Sequence, residues 1–145
     1  MYNENIRREF EDYLNIYGGW LTVGLLGARR NAKFLKEAEK SGQLDTYLQD
    51  FACATAFRKV FLKLGQSYVF CRNHTPIPYN QIAKAYQEKV RTNGVLTNHF
   101  LILEDSAGKR ILKAIMLGEA ESNGELSKVM SILKWKNPAI HLGYR

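Results

Sequence analysis

The residues best equipped for chemistry are few. Cys71 and His74 stand three apart in Cys71-Arg72-Asn73-His74-Thr75-Pro76, a spacing at which a thiol nucleophile and an imidazole base could meet. Cys71 alternates with Phe70 and Arg72, so the direction of its side chain is open at this level. His74 lies in a polar loop fixed by Pro76 and Pro78, the kind of place where binding residues concentrate. His99 and His141 have no His, Cys or carboxylate at ligand spacing, so no metal site is expected. The acidic pairs Glu11-Asp12 and Glu104-Asp105 are adjacent residues. Their side chains diverge on either a helix or a strand, which makes them poor paired catalytic carboxylates. Gly19-Trp-Leu-Thr-Val-Gly24 has the glycine spacing of a phosphate loop, but Leu25-Leu26 follows where Lys and Ser/Thr must reach phosphate and magnesium. No cofactor is expected, and the chain is read as leaning away from enzyme chemistry.

Basic residues beside aromatics remain. On a strand over Ser67–Arg72, the side chains of Tyr68, Phe70 and Arg72 fall on one face. On a strand over Lys109–Leu117, Lys109 and Lys113 alternate with Arg110. A sheet with aromatics for stacking and cations for phosphates resembles the way RNA-recognition sheets hold single strands. The resemblance is one of architecture, since the Gly- and Phe/Tyr-rich signature of those sheets is missing. The expected contact set is Tyr68, Phe70, Arg72, His74, Lys109, Arg110 and Lys113. The competing expectation is that Tyr68 and Phe70 serve as core under the N-terminal helices.

The elements that must position these residues change character along the chain. Asn3 or Asn5 can cap a helix whose apolar stripe is Ile6, Phe10, Tyr13, Leu14 and Tyr17 and which stops at Gly18-Gly19. A second helix is expected from about Trp20 to Lys40. A third is expected over Asp45–Leu64, apolar on most sides and therefore central. Beyond Gly65 the pattern predicts a strand over 67–72, a helix over 80–91 ending at Asn93-Gly94, and a strand over 99–104. A turn at 105–108 and a partner strand over 109–117 follow. Ser122-x-x-Glu125 has the form of a capping box and opens a helix with Leu126, Val129, Met130 and Leu133 on one face. A last strand falls in Ala139–Tyr144.

This order predicts an α+β protein with a helical N-terminal half (1–66) packed on a ferredoxin-like βαββαβ antiparallel sheet (67–145), all within one compact domain, 1–145. The alternative parse is a winged helix-turn-helix with Asn93–Leu103 as recognition helix. The four consecutive apolar residues Phe100–Leu103 speak against it, because a recognition helix keeps one face polar.

The 145 residues suffice for one domain with a real core, and 46% hydrophobic against 24% charged residues argues for a folded chain. The N-terminus is charged throughout, and Gly18–Ala28 is about half the length of a membrane span. A soluble, cytoplasmic protein without a membrane segment is therefore expected, with Cys53 and Cys71 as two buried free thiols. The net charge of +7 is uneven: residues 67–145 hold eleven Lys/Arg against six Asp/Glu, which is +5. Such an excess favours polyanions. The expected function is non-catalytic binding of RNA or single-stranded DNA. The alternatives are a small protein-interaction module, an adaptor or inhibitor of a larger complex, with an apolar patch at Trp20–Leu26 or a homodimer joined at unpaired sheet edges, and, third, an enzyme using Cys71 and His74.

Overall fold

The computed structural model describes residues 4–17, 21–22, 25–72, 74–117 and 124–144. The chain is α+β. Three N-terminal helices come first: α1 (Glu4–Asn15), α2 (Leu25–Ser41) and α3 (Gln43–Cys53). A short ladder, β1 (Ile16–Tyr17) with β2 (Leu21–Thr22), bridges the first two. The stripe of α1 is used as its spacing predicts, burying Phe10 and Leu14. α2 ends at Gly42, whose φ of 81° is a left-handed value that glycine adopts without steric cost. The buried amide of Asn31 on α2 donates to the Leu14 carbonyl and to Asn15 Oδ1, both at 2.9 Å, which satisfies one carbonyl orphaned at the end of α1.

Two four-stranded sheets follow. The first runs β3 (Thr55–Phe57), β4 (Leu62–Leu64), β5 (Tyr68–Cys71) and β6 (Ile77–Pro78), antiparallel in that order. The second has the order β10-β7-β8-β9. It contains the meander β7 (Lys84–Thr92), β8 (Val95–Glu104) and β9 (Arg110–Ile115), with β10 (His141–Tyr144) added parallel to β7. Helix α4 (Glu125–Lys136) joins β9 to β10.

Strand alternation makes the first sheet a middle layer. Phe70 faces the helices and shares a core with Phe10, Leu14, Leu48 and Phe51. Its neighbours Val69 and Cys71 face the other way, into a larger core. There they meet Ala85, Leu101, Leu103, Leu112 and Ala114 of the second sheet and Leu126, Val129 and Leu133 of α4. Two small cores thus sit on opposite faces of one sheet.

Several expectations are corrected. The helix expected over 45–64 ends at Cys53, and Ala54 already has extended backbone. The next residues form β3 and β4 through a turn in which Phe61 takes a φ of 53°. The helix expected over 80–91 is a single 3-10 turn, Tyr79–Gln81, followed by β7. Ile82, Tyr86 and Val90 recur every four residues, and four is also a multiple of the strand period, so the pattern fitted both. Asn93-Gly94 closes the β7–β8 hairpin instead of ending a helix, both residues at positive φ (52° and 80°) as a two-residue hairpin turn requires. Residues 95–103 are strand, so there is no recognition helix there. With 84–92 as strand, and β10 parallel to β7, the ferredoxin-like order is not formed. Cys53 is exposed, whereas Cys71 is buried. The β8–β9 hairpin is as expected, with Gly108 at φ 81°, and α4 begins at Glu125. The Asn3 cap, the Gly18-Gly19 stop, Trp20 and Gly24, and Ser122-Asn123 of the capping box lie outside the described residues.

Candidate nucleic-acid interface

The expected contact residues fall on two sheets. On the first, Phe70 is buried, its ring edge-on to Phe10 and Phe51 at 6.1 and 5.3 Å. Tyr68 is half-buried against Tyr47, with ring centroids 4.9 Å apart. Phe70 therefore cannot stack on a base, because α1 and α3 already cover it. The Arg72 guanidinium lies 4.9 Å from the Phe61 ring and 5.9 Å from that of Tyr13. His74 Nδ1 is 2.6 Å from its neighbour's carbonyl, Thr75 O. Burial pushes the Cys71 thiol up to about 12. A buried thiol held protonated at neutral pH is no activated nucleophile.

The second sheet gathers Lys109, Arg110 and Lys113 with residues not expected there. Directly paired residues share a face, so the ladder registers define three outward rows. The first is His141, Lys84, Glu104 and Arg110; the second is Gly143, Tyr86, Ile102 and Lys113; the third is Glu88, Phe100 and Ile115. Tyr86 and Ile102 are buried although they point away from both cores. Long side chains roof them. Lys84 Nζ sits 5.3 Å from the Tyr86 ring centre and Lys113 Nζ 4.2 Å from that of Phe100. Gly143 makes room for the first of these, since a Cβ there would come 3.1 Å from Lys84 Cε. The Tyr86 hydroxyl donates to Glu104, and burial together with that carboxylate raises its pKa. The Arg110 guanidinium reaches across β8 to Glu88, at 2.6 Å.

The face therefore has an apolar layer under a charged one. Two of its carboxylates are already engaged, and the Lys84 and Lys113 ammonium groups lie over rings. Lys109 is exposed in the β8–β9 turn, where its N–H is held by Asp105 Oδ1 at 2.9 Å. Beyond Glu88 and His99, β7 and β8 pair only with each other among the described residues. This hairpin arm carries Lys89 and Arg91, with Val90, Val95 and Leu96 exposed near its tip. Lys84, Tyr86, Lys89 and Arg91 escaped sequence reasoning because 80–91 fits a helical period. The signal that could have found them is Asn93-Gly94 between two runs able to form strands. The chain matches no protein-family model, and neither the curated proteins nor the solved structures contain a match to it.

Proposed function

We propose that the chain is a non-catalytic, cytoplasmic nucleic-acid-binding protein that holds single-stranded RNA or DNA by its phosphates. The observation that carries this reading is the charge of one meander. Residues 84–117 hold Lys84, Lys89, Arg91, Lys109, Arg110 and Lys113 against Glu88, Glu104 and Asp105, six against three. Lys84, Glu88, Glu104, Arg110 and Lys113 lie on the outward face of the second sheet, Asp105 and Lys109 in its β8–β9 turn, and Lys89 and Arg91 on its arm. With Tyr86 and Phe70 buried, base stacking contributes little, so the affinity comes from phosphate contacts and is insensitive to sequence.

The test is fluorescence anisotropy with labelled single-stranded RNA, single-stranded DNA and duplex DNA over a salt titration. Contact with about four phosphates gives a log–log salt slope of about −3 on single strands. The double variant Lys84→Glu/Lys113→Glu is expected to weaken binding at least about tenfold, whereas Arg72→Glu, on the other sheet, leaves it unchanged. Absence of binding at low salt overturns the reading.

A second reading, a protein-interaction module, is favoured by the arm, where Val95 is 65% exposed. Exposed apolar residues on a projecting hairpin suit self-association. Light scattering after size exclusion tests it. A dimer that Val95→Ser/Leu96→Ser converts to monomer supports this reading, and a wild-type monomer at all concentrations rules out the homodimer.

A further inference from the structure

The edge of the first sheet faces α4 across an open cleft of about 690 Å³, within the size range of small-molecule sites. Among the described residues β3 pairs only with β4, so its other edge, with its backbone polar groups, opens toward the cleft. The floor is apolar, contributed by buried Phe57 and half-buried Ile132. Three cations surround it: Arg58 and Lys59 from the β3–β4 turn, and Lys128 from the first turns of α4. Ser127 and Ser131, one helical turn apart on α4, add two hydroxyls on the facing wall.

Among the described residues the one carboxylate of the lining, Glu125, is already engaged. Its Oε1 accepts the Lys59 N–H at 3.1 Å. The Lys59 carbonyl in turn accepts the Leu117 N–H at 2.7 Å. Both backbone groups of Lys59 are thereby tied to other elements, so the turn and the helix keep a fixed separation. A cleft with fixed walls loses little conformational entropy on filling.

From this juxtaposition we infer that the cleft between β3 and α4 is a binding site for a small amphiphilic anion, an aromatic or aliphatic phosphate monoester or carboxylate. The apolar body rests on Phe57 and Ile132. The anionic head meets Arg58 and Lys128 and accepts hydrogen bonds from Ser127 and Ser131. A neutral apolar molecule would leave Arg58 and Lys128 unmatched, and a bare anion would leave the floor wet. The site is independent of the outward face of the second sheet, and none of its residues takes part in the proposed nucleic-acid contact.

The test is an amide chemical-shift titration of the full chain with phenyl phosphate, hexanoate, inorganic phosphate and benzyl alcohol. Phenyl phosphate or hexanoate is expected to give saturable shifts centred on residues 55–59 and 125–132, with inorganic phosphate and benzyl alcohol each at least about tenfold weaker. Lys128 and Ser131 are exposed, so Lys128→Glu and Ser131→Trp should retain the wild-type circular dichroism. The first should weaken binding at least about tenfold, and the second, which fills the cleft, should abolish it. No saturable shift with either anion at about 10 mM, some tenfold above a millimolar Kd, overturns the inference. So does an unchanged response in Ser131→Trp. Benzyl alcohol binding as tightly as phenyl phosphate removes the anionic head from the assignment, and inorganic phosphate binding as tightly removes the apolar body.

Discussion

Asp50, near the end of α3, is a buried carboxylate with an unusually full set of partners. Its two oxygens accept the backbone N–H groups of Gln66 (2.6 Å), Ser67 (3.1 Å) and Tyr68 (2.9 Å). One side chain thus satisfies three donors in the β4–β5 turn. The close approach is possible because residue 65 is glycine: a Cβ there would lie 2.2 Å from Asp50 Oδ2. The Gly65 carbonyl is held from the other side by the Tyr79 hydroxyl, at 2.7 Å. Neither the turn nor the carboxylate can yield without losing hydrogen bonds. Gly65→Ala is expected to cost about 3 kcal/mol in urea denaturation, and Asp50→Ala about as much, because it strands the donors. The two should not add: in the Asp50→Ala background the clash is gone, and Gly65→Ala should cost about 1 kcal/mol or less. Additive losses would show that the contact is not what limits residue 65. In the sequence Gly65 reads as a helix stop and Asp50 as one more helical acid. Their meeting depends on the chain turning back at residue 54, which no local signal announces.

At the scale of elements, the helices, β5 and the β8–β9 hairpin were legible, and β3, β4, β6 and β7 were not. α1 and α4 have apolar stripes that only a helix can gather on one side. The segment Gln81–Arg91 is rich in helix formers and its apolar residues recur at a spacing common to both periods. Its conformation is decided by β8, which pairs with it from Lys84 to Thr92; tertiary pairing overrides weak local preference. β3 and β4 were hidden because Phe61, which turns the chain between them at positive φ, is neither Gly nor Asn. The hairpin turn at Asn93-Gly94 is the element-scale feature most open to test. A Cβ on Gly94 would meet nothing within 4 Å, so Gly94→Ala isolates the backbone cost of a left-handed residue, about 1 kcal/mol. Amide exchange should quicken in residues 88–99, while β9 and β10 keep their protection. A uniform acceleration across the sheet would mean that the arm and the sheet open as one unit.

At the scale of the whole molecule, the sheet β3–β6 is shared by two cores, and stability depends on both of its faces. Phe70→Ala opens a cavity under α1 and α3 and is expected to cost about 4 kcal/mol. The sequence placed Tyr68 and Phe70 on one face, as found; which partner covers that face was set by the helical layer, whose docking leaves no local trace. Titratable groups report on the two cores together. Burial raises the pKa of Cys71 and Tyr79 on the inter-sheet side and of Tyr13 beside the helical core. Each is favoured protonated in the folded chain, while the unfolded chain ionises at the ordinary values, 9.0 for the thiol and 10.0 for the phenols. The folded protein therefore binds more protons than the unfolded one above pH 9, and its stability must fall as pH rises. Below about pH 8 these groups contribute almost no slope. Between pH 9 and about 12 Cys71 alone contributes up to about 1.4 kcal/mol per pH unit, with the two tyrosines adding to it above 10. Guanidinium unfolding at pH 7, 9 and 10.5 should give a second free energy about 0.5 kcal/mol below the first, because half of the unfolded-state thiol is ionised at pH 9, and a loss of about 2 kcal/mol or more at the third. Cys71→Ala should start lower at pH 7, for the cavity it leaves, but lose less between pH 9 and 10.5. The same loss in the variant as in the wild type would mean that the thiol ionises without unfolding the chain, and that the core around Val69 and Cys71 admits water.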